Sequence, residues 1–414
     1  MGILLLVLLL TACGAAATAV STPPTNTLEK TTTVEVTAVP TPPTNTLEET
    51  TSVGVTAVPI NIDLVAIPPV DMTQHSVPLD EIYFDTFRAA NRAVPLNAAD
   101  NDLIQSLRDA IPPIYNPVFE EANQADNWLR EDDLVLGYAD GNAAYAYPIR
   151  ILNFHEIVSH EVNGRPLMAT YCPLCRSGVL YDRRLNGEEL LFGNSSALYE
   201  SDMVMLDHQT GSYWVQVSGE AVVGPLTDER LTLLPSQTTT WGQWKAQYPH
   251  TLSLSRDTGQ RRDYSRDPFA GYAEQVSDTG RFAFPVSEAG QDPRLKPGAV
   301  VLGVQVGEQT AVYPLAQLGD AVLNDVVGET AVTIFSSSIG PTGAAYSPVV
   351  DGDTLTFLWQ DGHIQDQQTD SVWNFSGQAI EGELQGKQLN ALPVRSTLWF
   401  AMIAAYPDLI LYAP

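Results

Sequence analysis

The stretch VLGYADGNAAYAYPIRIL, from Val135 to Leu152, decides the fold because it returns as VLGVQVGEQTAVYPLAQL, from Val301 to Leu318. Farther along the chain, DHQTGSYWVQVSGEAVVGPL from Asp207 is matched by DQQTDSVWNFSGQAIEGEL from Asp366. Landmarks that recur in one order indicate a tandem duplication, and each copy has the length of an ordinary domain. We therefore predict two related units that pack as a pseudo-symmetric pair.

The amino-acid pattern of both copies predicts β-strands. Short runs of β-branched and aromatic residues alternate with glycine-containing turns, and the Asn-Gly pairs at Asn163 and Asn186 are typical of tight hairpins. Ahead of the copies, apolar residues at three- and four-residue spacings predict two helices, over 79–94 and 97–111. The predicted class is α+β, mainly β, with a small helical N-terminal segment.

The N-terminus has the pattern of a bacterial lipoprotein. MGILLLVLLLTACG places small residues and Cys13 directly after a short apolar run, which is too short to span a bilayer. Two 19-residue copies, TPPTNTLEKTTTVEVTAVP and TPPTNTLEETTSVGVTAVP, follow in 22–59 and favour a disordered tether, since they are rich in Thr and Pro and lack aromatics. We expect an extracytoplasmic, cell-membrane lipoprotein whose partner is the membrane, through a lipid on Cys13.

The predicted organisation has five parts. In chain order they are a signal peptide, a tether, a helical segment, a first repeat and a second, degenerate repeat, with the bounds 1–13, 14–60, 61–115, 116–270 and 285–414.

Charge excludes one class of partner. The 414 residues carry 21 basic and 49 acidic side chains, a formal net charge of −28. A nucleic-acid backbone would be repelled by this field, so no nucleic-acid partner is expected.

The duplication separates scaffold residues from candidate functional residues. Trp214 has a counterpart at Trp373, which is typical of shared scaffold. Cys172 and Cys175 align with Ser336 and Ile339, so the cysteine pair belongs to the first copy alone. Histidine is likewise missing where the second copy aligns with the His-Glu pair at 155–156. Residues found only in the first copy are the candidates for function.

The motifs around these residues resemble a known family. AYPIRILNFHEIV, GRPLMATYCPLC and ESDMVMLDHQTGSYWVQVSGEAVVGPL closely resemble the prokaryotic family catalogued as domain of unknown function 3179, over residues 110–412. The family has no established activity. The resemblance implies that His155-Glu156, Cys172-Pro-Leu-Cys175 and the segment Asp202 to Asp207 are its hallmark motifs. Arg176 stands where the family commonly has glycine, which adds a cation beside the thiols.

Three interpretations of Cys172 and Cys175 are open. A structural disulfide over so short a loop contributes only about 2 kcal/mol. A redox dithiol has the right Cys-x-x-Cys spacing, and Arg176 would lower a thiol pKa. A metal site needs further ligands. Haem attachment is excluded because Arg176, rather than histidine, follows Cys175, and structural zinc fits less well because no second cysteine pair exists.

A mixed soft metal site is the preferred form of the metal hypothesis. Its candidate ligands are Cys172, Cys175, His155 and a thioether from Met203 or Met205, and this donor set suits copper(I). Alternation along SDMVMLD puts both methionines on one strand face. The candidate catalytic residues are Cys172, Cys175, His155 and Glu156. The candidate supporting residues are Asp202, Asp207 and Arg176.

Two functions therefore remain. The first is a surface-anchored protein with a metal (copper-like) or thiol-redox site in the first repeat. The alternative is a non-catalytic extracytoplasmic binding or structural module with a Cys172–Cys175 disulfide. Convergence of His155 and Met205 on the sulfurs would favour the first function, and sulfurs buried among apolar residues without a histidine would favour the second. Neither hypothesis assigns a reaction or a substrate.

Overall fold

The computed structural model describes residues 55–56, 67–88, 91–340 and 342–413. Cys13, the predicted signal peptide and the first 19-residue copy lie outside the described residues. Of the second copy only Val55–Thr56 is described, and it pairs antiparallel with a strand at residues 118–121. These two are the described residues of the predicted tether over 14–60, and the tether stays a prediction.

The described residues form many short strands and few helices, as follows. The strands are β1 (Val55–Thr56), β2 (Ile82–Asp85), β3 (Ala93–Pro95), β4 (Val118–Glu121), β5 (Leu134–Asp140), β6 (Ala143–Pro148), β7 (Ile157–Val162), β8 (Arg165–Cys172), β9 (Ser177–Asp182), β10 (Arg184–Leu185), β11 (Glu188–Glu189), β12 (Phe192–Tyr199), β13 (Asp202–Asp207), β14 (Tyr213–Val215), β15 (Glu220–Val223), β16 (Thr232–Leu234), β17 (Gln237–Thr240), β18 (Leu252–Leu254), β19 (Val300–Val306), β20 (Gln309–Pro314), β21 (Ala321–Val327), β22 (Thr330–Ser337), β23 (Thr342–Ser347), β24 (Val349–Val350), β25 (Asp353–Thr354), β26 (Phe357–Gln360), β27 (His363–Asp366), β28 (Val372–Trp373), β29 (Ala379–Glu381), β30 (Asn390–Ala391), β31 (Val394–Leu398) and β32 (Ile410–Leu411). The α-helices are α1 (Asn101–Leu107), α2 (Ala122–Ala125), α3 (Ile149–His155), α4 (Trp241–Gln247), α5 (Tyr272–Thr279), α6 (Leu315–Leu318) and α7 (Trp399–Ala405).

The predicted mainly-β α+β class is confirmed. Both Asn-Gly turns are hairpins as predicted: Asn163 and Gly164 have φ values of 50° and 76°, and Asn186 and Gly187 have values of 52° and 88°. Positive φ at both central residues is what a two-residue turn between twisted strands requires. In the part of the chain that the structure describes, no helix is long and apolar enough to cross a membrane.

One of the two predicted N-terminal helices is a strand instead. Residues 82–85 form β2, which pairs with β3 and β12. Ile82 and Phe84 are fully buried and pack with Val204 and Leu206, so alternation along a strand outweighs the apolar spacing that had indicated a helix. The second predicted helix is present as α1. Asp100 caps it by accepting a hydrogen bond from the Leu103 backbone N–H.

Strand pairing repeats between the two halves of the chain. In the first half β17 pairs with β5, β18 pairs in parallel with β6, and β16 pairs with β9. In the second half β31 pairs with β19, β32 pairs in parallel with β20, and β30 pairs with β23. Each half thus ends with a strand, a helix and a short strand, and both of these strands pair with the hairpin that opens the half. The described part of residues 53–414 forms one compact unit.

The tryptophans shared by the two halves make the same contacts. Trp214 donates a hydrogen bond to Asp207 over 3.0 Å, and Trp373 donates one to Asp366 over 2.9 Å. Each indole also meets a phenylalanine edge-on, since Trp214 packs on Phe192 and Trp373 packs on the matching residue of β26. Asp207, a candidate supporting residue, therefore makes the contacts of a scaffold residue.

A strand of the second half supports the first half's cysteine loop. β31 pairs with β9 through Ser396 and Gly178, which joins strands of both halves into one sheet of order β32-β20-β19-β31-β9-β8-β7. The Cys175 carbonyl then accepts hydrogen bonds from the Leu398 backbone N–H (2.8 Å) and the Thr397 hydroxyl (2.9 Å). The second half, which lacks the cysteines, thus helps to position them.

Candidate functional site

One cysteine ends β8, and the other lies within the four-residue turn that follows it. β8 ends at Cys172, which pairs with Ser177 at the start of β9, and residues 173–176 close the hairpin. Pro173 restricts the backbone at the start of this turn, and Arg176 ends it with φ of 49°. This turn brings Cys175 back beside Cys172.

Both thiols are free and buried, and a carboxylate lies against them. Cys172 and Cys175 are 1% and 0% exposed. The Cys175 thiol donates a hydrogen bond to Asp202 Oδ1 over 3.0 Å. One donor atom from each of these three residues lies within 4.8 Å of the other two. No disulfide joins the pair, so the cysteines and Asp202 form a buried dithiol–carboxylate site.

Asp202 is held in place through both of its oxygens. Oδ1 also accepts a hydrogen bond from the Met203 backbone N–H, and Oδ2 accepts one from the Val217 backbone N–H, each over 2.9 Å. Burial raises the pKa of the Asp202 carboxyl to about 6, although these hydrogen bonds oppose the rise. A residue expected to play a supporting role is therefore in direct contact with a thiol.

Glu156 brings a second buried carboxyl to the same region. It follows α3 with φ of 58°, a left-handed conformation that is unusual for a glutamate. Burial raises the pKa of Glu156 to about 8, and the nearby charges of Asp202 and Asp85 add to the rise. The Glu156 carboxylate accepts a hydrogen bond from the side-chain amide of Asn194. The site therefore contains two carboxyls whose pKa values burial raises.

Asn194 is a site residue that the sequence analysis missed. Its amide also approaches Met203 Sδ at 3.5 Å, so it connects Glu156 to the methionine. A signal was present in the sequence. Phe192 pairs with Asp207 as Phe357 pairs with Asp366, but the first half has the longer connection between these paired residues. The extra residues of this connection are found only in the first half, and Asn194 lies among them.

Arg176 does not act on the thiols as expected. Burial raises the pKa of both cysteine thiols, with Cys175 well above its ordinary value. The predicted lowering of a thiol pKa is therefore wrong, because loss of hydration on burial is the largest effect and Arg176 is not among the groups that mainly shift either thiol. Arg176 instead lines a pocket of about 430 Å³ together with Tyr171 and Pro173.

The ring nitrogens of His155 contact groups other than the sulfurs. Its Nδ1 lies 2.7 Å from the Pro112 carbonyl, and its Nε2 lies 2.7 Å from the Tyr264 hydroxyl. Because a carbonyl can only accept, Nδ1 carries the proton and Nε2 accepts from the tyrosine. Both ring nitrogens are thus occupied, so the structure does not place His155 as the expected metal ligand.

The two methionines lie on one strand face as predicted. Met203 and Met205 pack in the same buried cluster as Cys172 and Cys175, whereas Val204 and its neighbour pack in another. Aromatic residues are among the other members of this cluster.

His208, which follows β13, lies in a separate group of side chains. It is 3.3 Å from the Tyr115 hydroxyl and 3.7 Å from Asp109. The structure therefore completes neither of the two expected arrangements, which are a histidine beside the sulfurs and a Cys172–Cys175 disulfide. His155 does not join the sulfurs, yet the cysteines form no disulfide and face a carboxylate.

These features define an α+β, mainly β protein with two similarly connected halves and a buried dithiol–carboxylate site in the first. The chain belongs to the family described as "Protein of unknown function (DUF3179)", whose model matches residues 108–409. No curated protein matches the chain significantly. No solved structure does so either.

Proposed function

We propose that this protein is a membrane-anchored extracytoplasmic lipoprotein that binds one metal cation through Cys172, Cys175 and Asp202. The observation that carries the metal site is the approach of the three donor atoms to within 4.8 Å of one another in a buried cluster. Two thiolates and a carboxylate would bring three negative charges into this cluster, and a bound cation offsets them.

The donor set favours zinc over copper. Copper(I) suits the donor set expected from the sequence, in which His155 and Met205 join the thiolates. A carboxylate is a harder donor that zinc accepts and copper(I) does not prefer. Cys172, Cys175 and Asp202 would leave a fourth tetrahedral position for water or another ligand. The thioethers of the cluster then serve as packing around the ion.

Metal analysis of the full-length, reduced protein tests this proposal. After loading with Zn²⁺ and removal of the excess, we expect about one equivalent in the wild type, as in other single-ion protein sites. Cys172→Ser and Cys175→Ser should each lose the ion. Ser336→Ala, at the matching place in the second half, is the control and should retain it. A wild type that binds neither Zn²⁺ nor Cu⁺ would contradict the metal site.

A thiol-redox function is the second candidate. The Cys175–Asp202 hydrogen bond favours it, because the carboxylate can take the thiol proton during oxidation. Against it, both sulfurs are buried, whereas disulfide exchange requires an attacking thiol to reach one of them. Titration of thiols before and after mild oxidation, in wild type and Asp202→Asn, separates the candidates. Loss of two thiols in the wild type with no metal bound would favour redox exchange.

The lipid anchor is supported by the pattern that ends at Cys13. We expect Cys13→Ala to move the protein out of the membrane fraction or to leave it unprocessed. Fractionation of cells that carry each version tests this expectation. Identical distributions of the variant and the wild type would show that the anchor is wrong.

A further inference from the structure

A basic pocket of about 570 Å³ lies beside the loop over residues 256–265. Its volume lies within the range of small-molecule sites. Asp263 is its only acidic lining residue. Four arginines and two aromatic residues dominate its lining, namely Arg150, Arg256, Arg261, Arg262, Trp128 and Tyr264. This composition is unusual in a chain with 21 basic and 49 acidic side chains.

Three of the four arginines have no carboxylate partner. Arg150 is paired with Asp133. Among the described residues, Arg256, Arg261 and Arg262 form no ion pair. The Asp263 carboxylate supplies one negative charge against these three guanidiniums and accepts hydrogen bonds from the backbone N–H and the hydroxyl of its neighbour at position 265, so the lining keeps an excess of positive charge. Guanidiniums that share one pocket repel one another, and a bound anion would offset this repulsion.

The walls of the pocket are held by specific contacts. The Arg256 guanidinium carbon lies over the Trp128 ring, 5.1 Å from the ring centroid. This cation–π contact holds the guanidinium against the aromatic wall of the pocket. The Tyr264 hydroxyl contacts both His155 and the Thr258 hydroxyl, the latter at 2.6 Å. His155, which does not reach the thiols, thus fixes one wall of this pocket.

We propose that this pocket binds the phosphate group of a phosphomonoester. A phosphomonoester carries close to two negative charges and three terminal oxygens at neutral pH, which matches three unpaired guanidiniums. A carboxylate offers one charge and two oxygens. Trp128 and Tyr264 provide an aromatic wall for the organic part of the ligand.

The phosphate pocket continues towards the cysteine turn. It shares Arg150 and Ser265 with the pocket of about 430 Å³ that Pro173 and Arg176 line. A phosphomonoester held by the arginines therefore has room to extend towards the surface of the turn that carries the thiols. The phosphate site rests on the unpaired arginines and does not depend on a metal.

Calorimetric titration of the full-length protein with glycerol 3-phosphate, at constant ionic strength, tests the proposal. We expect saturable binding that weakens about tenfold or more in Arg261→Gln/Arg262→Gln, since charge-assisted hydrogen bonds to phosphate are lost. Arg266→Gln, an exposed arginine of the same segment outside the pocket lining, should bind like the wild type. Unchanged affinity in the double variant overturns the site, and equal affinity for acetate overturns the choice of phosphate.

The source of the phosphate is decided with vesicles. Phosphatidylcholine vesicles with and without phosphatidic acid present the same phosphomonoester as a lipid headgroup. Binding that requires phosphatidic acid and is lost in the double variant assigns the pocket to a lipid. If the protein binds glycerol 3-phosphate but binds vesicles with and without phosphatidic acid equally, the pocket is assigned to a soluble ester. Because wild type and variant both contain Cys13, any contribution of an anchor cancels. A double variant that binds both probes normally overturns the proposal.

Discussion

The substitution Asp202→Asn separates the proposed metal ligand from an ordinary buried aspartate. Asp202 accepts hydrogen bonds through both oxygens, from Cys175 and Met203 on one side and from Val217 on the other. An asparagine amide must turn its NH₂ group towards one of these donors, which leaves a buried N–H unpaired. We expect the free energy of unfolding to fall by about 1–3 kcal/mol.

The metal-dependent part of the stability distinguishes the two roles. A ligand at 100 times its dissociation constant stabilises the folded state by about 2.7 kcal/mol. Wild type should gain this increment with Zn²⁺, and Asp202→Asn should lose most of it along with the anionic ligand. Asp207→Asn is the matched control. Asp207 is equally buried at the other end of β13, but its oxygens accept from Trp214 and Thr210.

Urea unfolding of the full-length protein, followed by tryptophan fluorescence with and without Zn²⁺, measures both quantities. Both variants should be less stable than the wild type, and only Asp202→Asn should lack the response to Zn²⁺. An equal zinc increment in Asp202→Asn and Asp207→Asn would refute the assignment of Asp202 as a ligand.

Two further predictions concern pH and packing. Because burial holds the pKa of Glu156 at about 8, above its ordinary value of 4.5, the folded state binds this proton more tightly and wild-type stability should fall as pH rises between these values. Glu156→Gln should remove that part of the fall in stability, measured by urea unfolding at pH 5, 7 and 9. Wild-type and variant stabilities that change in parallel with pH would contradict this prediction. A Cβ at Gly137 would lie 2.4 Å from the Trp244 ring, and one at the matching Gly303 would lie 2.4 Å from the end of Met402. Gly137→Ala should cost about 1–3 kcal/mol and Gly303→Ala less, since a methionine can move aside, and thermal unfolding in the reverse order would refute this reasoning.

The candidate site was predictable only in part. The duplication pointed to the cysteines, because Cys172 and Cys175 have no counterparts in the second half. It pointed equally to His155, whose ring the fold directs to Pro112 and Tyr264. Whether a side chain reaches the thiols depends on the backbone direction at the end of a helix. No motif in the sequence specifies that direction.

Asp202 and Asn194 make contacts in the site that the sequence patterns did not predict. Alternation along the strand placed Asp202 on the face opposite Met203, yet it contacts Cys175 from the first position of β13. The position is at the strand end, where the strict alternation of a strand interior no longer holds. Asn194 lies beside a register irregularity of β12, which local propensities do not predict.

The sequence by itself determined the features that act over a few residues or repeat along the chain. These are the β-rich class, the Asn-Gly hairpins and the repeated order of landmarks. Tertiary structure alone decided that residues 82–85 form a strand. The apolar residues there satisfy both helical and strand periodicity, and burial beside β12 selects the strand. It also decided that Asp202, Glu156 and the cysteines share one buried site, because strands distant in sequence must first pack before their side chains can converge.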